Sequence, residues 1–211
     1  MKVISEVVSV ILILIISLGL ISTILMYGYP LIMKAQDKIA LERVISLFHP
    51  DLPGSIVKKM EDISKAGGSV TINLEVDGVW KVISFSENSE LNNSLSFTFF
   101  SRVTNIKSDQ YISLSSGETC PPKQGILGVS SPFVVCIMGS STHMGFTITY
   151  TLFARNLTSE NQVYSVRLTS NLGGRGESTS RTIRVRRVDS EMKIIQEGEK
   201  KIIIVPLEIS L

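Results

Sequence analysis

The 211-residue chain is poor in the side chains that do chemistry, with two histidines, two cysteines and one tryptophan. His49 and His143 stand far apart in sequence and without a nearby carboxylate cluster, so neither a metal site nor a His-activated nucleophile finds support. Cys120 and Cys136 match neither C-x-x-C nor a zinc-knuckle spacing. Net charge is also small: 21 Lys and Arg against 19 Asp and Glu leave +2. That lacks the concentrated basic surface of a nucleic-acid-binding protein. One stretch lacks charge altogether. Between Glu6 and Lys34 nothing is ionisable at neutral pH.

That run, residues 7–33, reads VVSVILILIISLGLISTILMYGYPLIM. As a helix at ~1.5 Å per residue it would be ~40 Å long, against ~30 Å of bilayer hydrocarbon. Ile and Leu occupy all faces of its central turns, so no polar stripe turns toward water. A cleaved secretory signal would have a shorter core of ~7–15 residues and a small-residue cleavage site. Gly28-Tyr29-Pro30-Leu31 is not such a site. The run therefore reads as a membrane anchor, either plain or doubling as an assembly helix. Glu6 bears on that choice. A carboxylate at the start of the run is costly at membrane depth unless paired with a cation such as a free α-amino group. Placed in the headgroup layer, it would instead complement the helix N-terminus.

Downstream, Lys34, Gln36, Asp37, Lys38, Glu42 and Arg43 are polar, while Ile39, Leu41, Val44, Ile45 and Phe48 keep an apolar face at helical spacing. We expect one long helix ending near His49-Pro50, kinked or loosened at Pro30. Tyr27 and Tyr29 suit the membrane interface. Asp51 and Pro53 predict a second, short helix whose face is Ile56, Val57, Met60 and Ile63, ended by Gly67-Gly68. From Ser69 the texture changes to alternation. Residues 69–76 and 79–85 flank Asp77-Gly78, a two-residue hairpin signal. Further strand-like runs cover 95–103, 110–114, 133–138, 145–154, 162–169, 181–188, 192–196 and 201–209. The expected fold is α+β: a long N-terminal hydrophobic helix followed by an antiparallel β-sandwich-like head. Three regions follow, with helix 1–48, linker helix 49–67 and β domain 68–211.

No catalytic site is read from the residues, and no metal or other cofactor is expected. Ser55-x-x-Lys58 and Ser190-x-x-Lys193 share a serine–lysine spelling that arises easily by chance. Gly173-Gly174-Arg175-Gly176 lacks a Walker lysine and reads as a flexible hairpin tip. Arg181, Arg184, Arg186 and Arg187 read as a solvated strand face answered by Asp189, Glu191, Glu197 and Glu199, in preference to a face for an acidic partner or lipid headgroup. Asn92-Asn93-Ser94 and Asn156-Leu157-Thr158 are N-glycosylation sequons, meaningful if the domain lies outside the cell. There, Cys120 and Cys136 could close a disulfide; two buried free thiols are the other reading. Lys34, Lys38 and Arg43 after the run outnumber Lys2 before it, and by cation count put the C-terminal side in the cytoplasm. The Ser/Thr/Asn-rich β domain, the cysteines and the sequons argue the reverse. We expect the N-terminus inside and the β domain outside.

Lys2-Val3-Ile4-Ser5-Glu6-Val7-Val8, leading into the Ile/Leu-rich helix, resembles the start of archaeal type IV pilin-like proteins, which share a class III signal arrangement with archaellins. The Tyr27-Gly28-Tyr29-Pro30-Leu31-Ile32 continuation is also similar to members of that group. The resemblance covers about the first fifty residues. It implies a basic leader residue at Lys2, a motif at Ser5-Glu6 and an assembly helix at 7–33, cut by a membrane peptidase before the helix. In the family such helices pack into an extracellular filament with β-rich heads outside. Two departures stand: the leader here is a couple of residues long, and Val3 takes the place of the usual small residue. The expected role is a non-catalytic structural subunit whose partners are the membrane and copies of itself or other pilin-like subunits, with a surface or adhesion partner for the head. The alternative is a single-span envelope protein whose β domain binds a partner and never polymerises. Ser9, Ser17, Gly19 and Ser22 would let neighbouring helices approach, although small residues are common in membrane helices generally.

Overall fold

The computed structural model describes residues 2–86, 92–104, 106 and 108–211, with side chains from Val8 onward. The chain begins as one continuous helical rod: α1 (Lys2–Thr23), a π-helical turn (Ile24–Gly28) and α2 (Tyr29–Phe48). The π turn contains Met26, whose carbonyl would take its α-helical hydrogen bond from residue 30. Pro30 has no N–H to give, and its ring crowds that carbonyl, so the widened turn sits where the strain falls. The rod stops at His49, whose ψ of 125° is extended, as the residue before Pro50 prefers.

A short amphipathic helix, α3 (Ile56–Ala66), follows. Its cap is Ser55 rather than the expected Asp51: the Ser55 hydroxyl accepts from the Lys58 N–H at 3.3 Å. Asp51 lies in the preceding turn, its N–H donating to His49 Nδ1 at 3.2 Å. Gly67 ends the helix at φ 84°, donating to Ile63 O. A Cβ on Gly67 would also lie 2.7 Å from the Arg187 guanidinium. That guanidinium donates to the terminal carbonyls of Ser64 and Lys65 at 3.3 and 3.0 Å, complementing the negative end of the helix.

The remainder forms two β-sheets. The first runs β1 (Ser69–Asn73), β11 (Thr182–Arg187), β13 (Lys200–Ser210), β9 (Gln162–Ser170), β8 (Asn156–Thr158) and β5 (Gly125–Ile126), with β12 (Lys193–Glu197) also on β13. The second runs β10 (Arg175–Ser178), β2 (Val79–Ile83), β3 (Ser94–Ser101), β7 (Gly145–Ala154), β6 (Phe133–Thr142) and β4 (Ser108–Ser113). Pairing is mostly antiparallel, with β9–β13 and β5–β8 parallel. Ile72, Val166, Leu168, Ile183, Val185 and Leu207 of the first sheet and Trp80, Val82, Leu95, Phe97, Tyr150 and Leu152 of the second share one core with α2 and α3. The fold is α+β, a long apolar helix followed by a two-sheet head.

Asn93 stitches the sheets together. Its buried side chain donates to Ala154 O at the end of β7 and to Val166 O of β9, and accepts from the Leu168 N–H at 2.7 Å. The Ala154 contact lies within the second sheet, and the two charge-free contacts to β9 cross the interior and fix one layer against the other.

Three expectations are corrected. Asp77-Gly78 is not a hairpin turn, because β1 pairs with β11 while β2 pairs with β3 and β10, so this segment crosses between sheets. Burial drives the split: Ile72 faces the core from one layer and Trp80 from the other. The Gly173–Gly176 region is not all hairpin tip, since β10 begins at Arg175 and pairs with β2. The arginine strand finds partners other than those expected. Arg181 pairs with Asp77 and Arg186 with Glu208; of the anticipated acids, Asp189 alone is in an ion pair among the described residues, with Arg187.

Candidate membrane and assembly segment

Two halves of the rod live in different surroundings. From residue 8 to residue 32 every position but Gly28 is exposed, including Leu14, Ile15, Leu18 and Leu20. The helix is long and apolar enough to cross a membrane by length and composition. Exposed Ile and Leu on every face are unfavourable in water at ~25 cal/mol per Å², which makes this half a candidate membrane anchor. A Cβ on Gly19 would meet nothing within 4 Å, leaving a small notch on the bare surface.

The other half is built into the head. Leu41, Val44 and Phe48 are buried at i, i+3 and i+7, with Ala40, Ile45 and Leu47 packed beside them. The Phe48 ring lies 5.1 Å from Tyr150 and 6.0 Å from Trp80, and Trp80 continues to Phe97 at 4.7 Å. Burial without a hydrogen-bond partner pushes the Tyr150 hydroxyl well above its ordinary pKa, so it stays neutral.

Polar contacts brace the same junction. Asp37 accepts from the backbone N–H of Arg102 at 2.9 Å and from its guanidinium at 3.1 Å. Arg43 pairs with Glu75 at 3.2 Å. Sequence reasoning did not single out Asp37. Yet residues 37, 41, 44 and 48 lie on one helical face, and a carboxylate in line with a buried stripe is the signal that could have found it.

The other candidates scatter. Lys2, Val3, Ile4, Ser5 and Glu6 lie within α1, with side chains outside the described residues. Pro30 lies in the first turn of α2. Cys120 and Cys136 form a disulfide with Cα atoms 6.0 Å apart, tying the segment before β5 to β6. Asn92 and Asn156 line one shallow recess of about 180 Å³ together with Pro121 and Arg155. Ser55 is a buried helix cap, and its partner in the serine–lysine spelling, Lys58, pairs with Glu61. Ser190 and Lys193 are exposed. Among the described residues no group of three His, Cys, Asp or Glu is placed to hold a metal ion.

A larger recess of about 550 Å³ opens between α3 and the segment after β5, lined by Lys58, Glu61, Lys65, Leu127, Val129 and Tyr164. Its one buried charge, Glu61, is taken up by Lys58 at 3.3 Å and by the Ser131 hydroxyl. No family model, curated protein or solved structure matches this chain.

Proposed function

We propose that the chain is a non-catalytic structural subunit of pilin type. Its apolar half-helix is inserted in the membrane and passes to a helical core when subunits assemble into an extracellular filament. The supporting observation is the division of a single rod, bare over residues 8–32 and embedded in the head from Leu41 to Phe48. A helix continuous through both surroundings carries the head rigidly wherever the apolar half packs. Helix–helix contact can replace helix–lipid contact at little hydrophobic cost, since both are apolar. In this reading the head lies outside the cell, Glu6 pairs with a neighbouring α-amino group and the sequons at Asn92 and Asn156 face a compartment where they can be used.

Intact mass and N-terminal sequence, taken from membrane and sheared extracellular fractions, test the proposal. A start near Val3 or Ile4 in sheared material is expected, and Glu6→Ala should abolish that fraction while leaving membrane insertion intact. Protein confined to the membrane with Met1 retained would overturn it. That outcome would favour a single-span envelope protein whose head binds a partner, for which the recess beside Glu61 offers a charged group and apolar walls.

A further inference from the structure

The β12–β13 hairpin carries an open edge. β12 pairs with β13 from Lys193↔Ile204 to Glu197↔Lys200, and no described strand pairs with its other side. All five of its residues are exposed, Ile194 at 58% and Ile195 at 45%, and Met192 before them is 40% exposed. Neither Lys193 nor Glu197 has an ion-pair partner among the described residues. A strand with aliphatic side chains on both faces and a free row of backbone groups is a template for strand addition.

The order of residues in β12 says which strand fits. Lys193-Ile194-Ile195-Gln196-Glu197 is complementary to itself when a second copy runs antiparallel about Ile195. Lys193 then faces Glu197 of the second copy, Ile194 faces Gln196, and Ile195 faces its own equivalent. The backbone phase agrees. In an antiparallel ladder, residues alternate between those bonded to one neighbour and those whose N–H and C=O point the other way. Glu197 and Lys200 close the two-residue Gly198-Glu199 loop, with Gly198 at φ 61° in its first position, and so bond to each other. By alternation Ile195 and Lys193 also bond toward β13, while Ile194 and Gln196 present their backbone groups outward. A two-fold axis at Ile195 brings outward Ile194 onto outward Gln196 in both directions. Sliding by two residues keeps that phase but sets Lys193 or Glu197 against Ile195, so the register centred on Ile195 is the one that also matches Lys193 with Glu197.

We propose that β12 is a homodimer interface: two copies of the chain join their first sheets edge to edge, antiparallel about Ile195, with two Lys193–Glu197 pairs flanking an Ile195–Ile195 contact. A lysine on an edge strand commonly blunts it against pairing; here the second copy supplies its counter-charge. Two heads tethered to one membrane by their helices would meet at high effective concentration, which suits a five-residue contact.

The test uses the full chain in detergent micelles, with association followed by sedimentation. Lys193→Glu and Glu197→Lys each turn both cross-strand pairs repulsive and should weaken the dimer on the order of tenfold. An equimolar mixture of the two variants, or the double exchange in one chain, should restore it. The described cysteines are both in the disulfide, so Ile195→Cys adds the reporter thiol. It should cross-link under mild oxidation faster than Ile194→Cys, since the close non-bonded pair puts the two Cβ atoms within reach. A wild-type monomer, association indifferent to the charge reversals (as contact through the apolar helix would be), or equal cross-linking at 194 and 195 would overturn the proposal. None of these depends on whether Glu6→Ala blocks filaments.

Discussion

Asp37 and Arg102 form the outermost clasp between the rod and the head. One carboxylate takes both the backbone N–H at the end of β3 and the guanidinium of the same residue. Asp37 is mostly sheltered, its side chain 17% exposed against 38% for Arg102. Asp37→Ala should therefore destabilise the folded chain by about 1 kcal/mol, with part of the charged contact screened by solvent. Asp37→Asn keeps an acceptor for the N–H and should fall between the two. Denaturant unfolding in detergent reads the loss, and faster hydrogen exchange confined to residues 37–41 would place it at the clasp.

Phe48 is the inner fastening. It is fully buried against Tyr150 and Trp80 at the C-terminus of the rod, where no covalent constraint other than the chain holds helix to sheet. Phe48→Ala removes the ring and leaves a cavity in the aromatic cluster, at a cost of about 3–5 kcal/mol. The expected result is a lower Tm together with new protease cleavage near residues 48–55. Retained Tm would mean that Leu41 and Val44 suffice.

Much of this architecture is legible in residue pattern. The apolar run, the stripe 41, 44, 48 and the alternation of the longer strands each follow from burying one face and leaving another bare. Pairing is less legible. Asp77-Gly78 carries the local chemistry of a hairpin, but local turn preference is weaker than the burial of Ile72 and Trp80 in opposite layers. β5 and β8, of two and three residues, are too short to show any period. The self-complementarity of residues 193–197 stands in the sequence, yet it acquires meaning only once β12 is an unpaired edge.

Gly78 then serves a different purpose from the one its dipeptide suggests. It is not among the glycines with positive φ. A Cβ there would run into the Phe97 ring and lie 2.7 Å from the Thr98 carbonyl. The requirement is space beside β3, not a left-handed turn. Gly78→Ala should cost about 1–3 kcal/mol by overpacking. Phe97→Leu in the same chain should recover part of that loss by opening room for the methyl group. A left-handed requirement would show no such rescue, so the double-mutant cycle separates the two causes.

Glu118 and Arg155 make the stability of the head depend on pH at one sheltered ion pair. The buried Arg155 guanidinium holds Glu118 by two hydrogen bonds of 2.6 and 2.7 Å, while its Nε donates to Ser131 O at 2.9 Å. These contacts brace the same segment that the Cys120–Cys136 disulfide ties down. The hydrogen bond from Arg155 holds the Glu118 carboxyl below its ordinary value of 4.5. The folded state therefore binds this proton less readily than the unfolded chain. The associated stability is present above about pH 4.5 and is lost as pH falls through the lowered folded value. Glu118→Gln should cost about 2 kcal/mol at neutral pH, because Arg155 loses its counter-charge while still sheltered. Its Tm should then fall less than that of the wild type as the solution is acidified from about pH 5 to pH 3. Parallel Tm curves for the two proteins across that range would show that the Glu118–Arg155 pair does not set the acid limb.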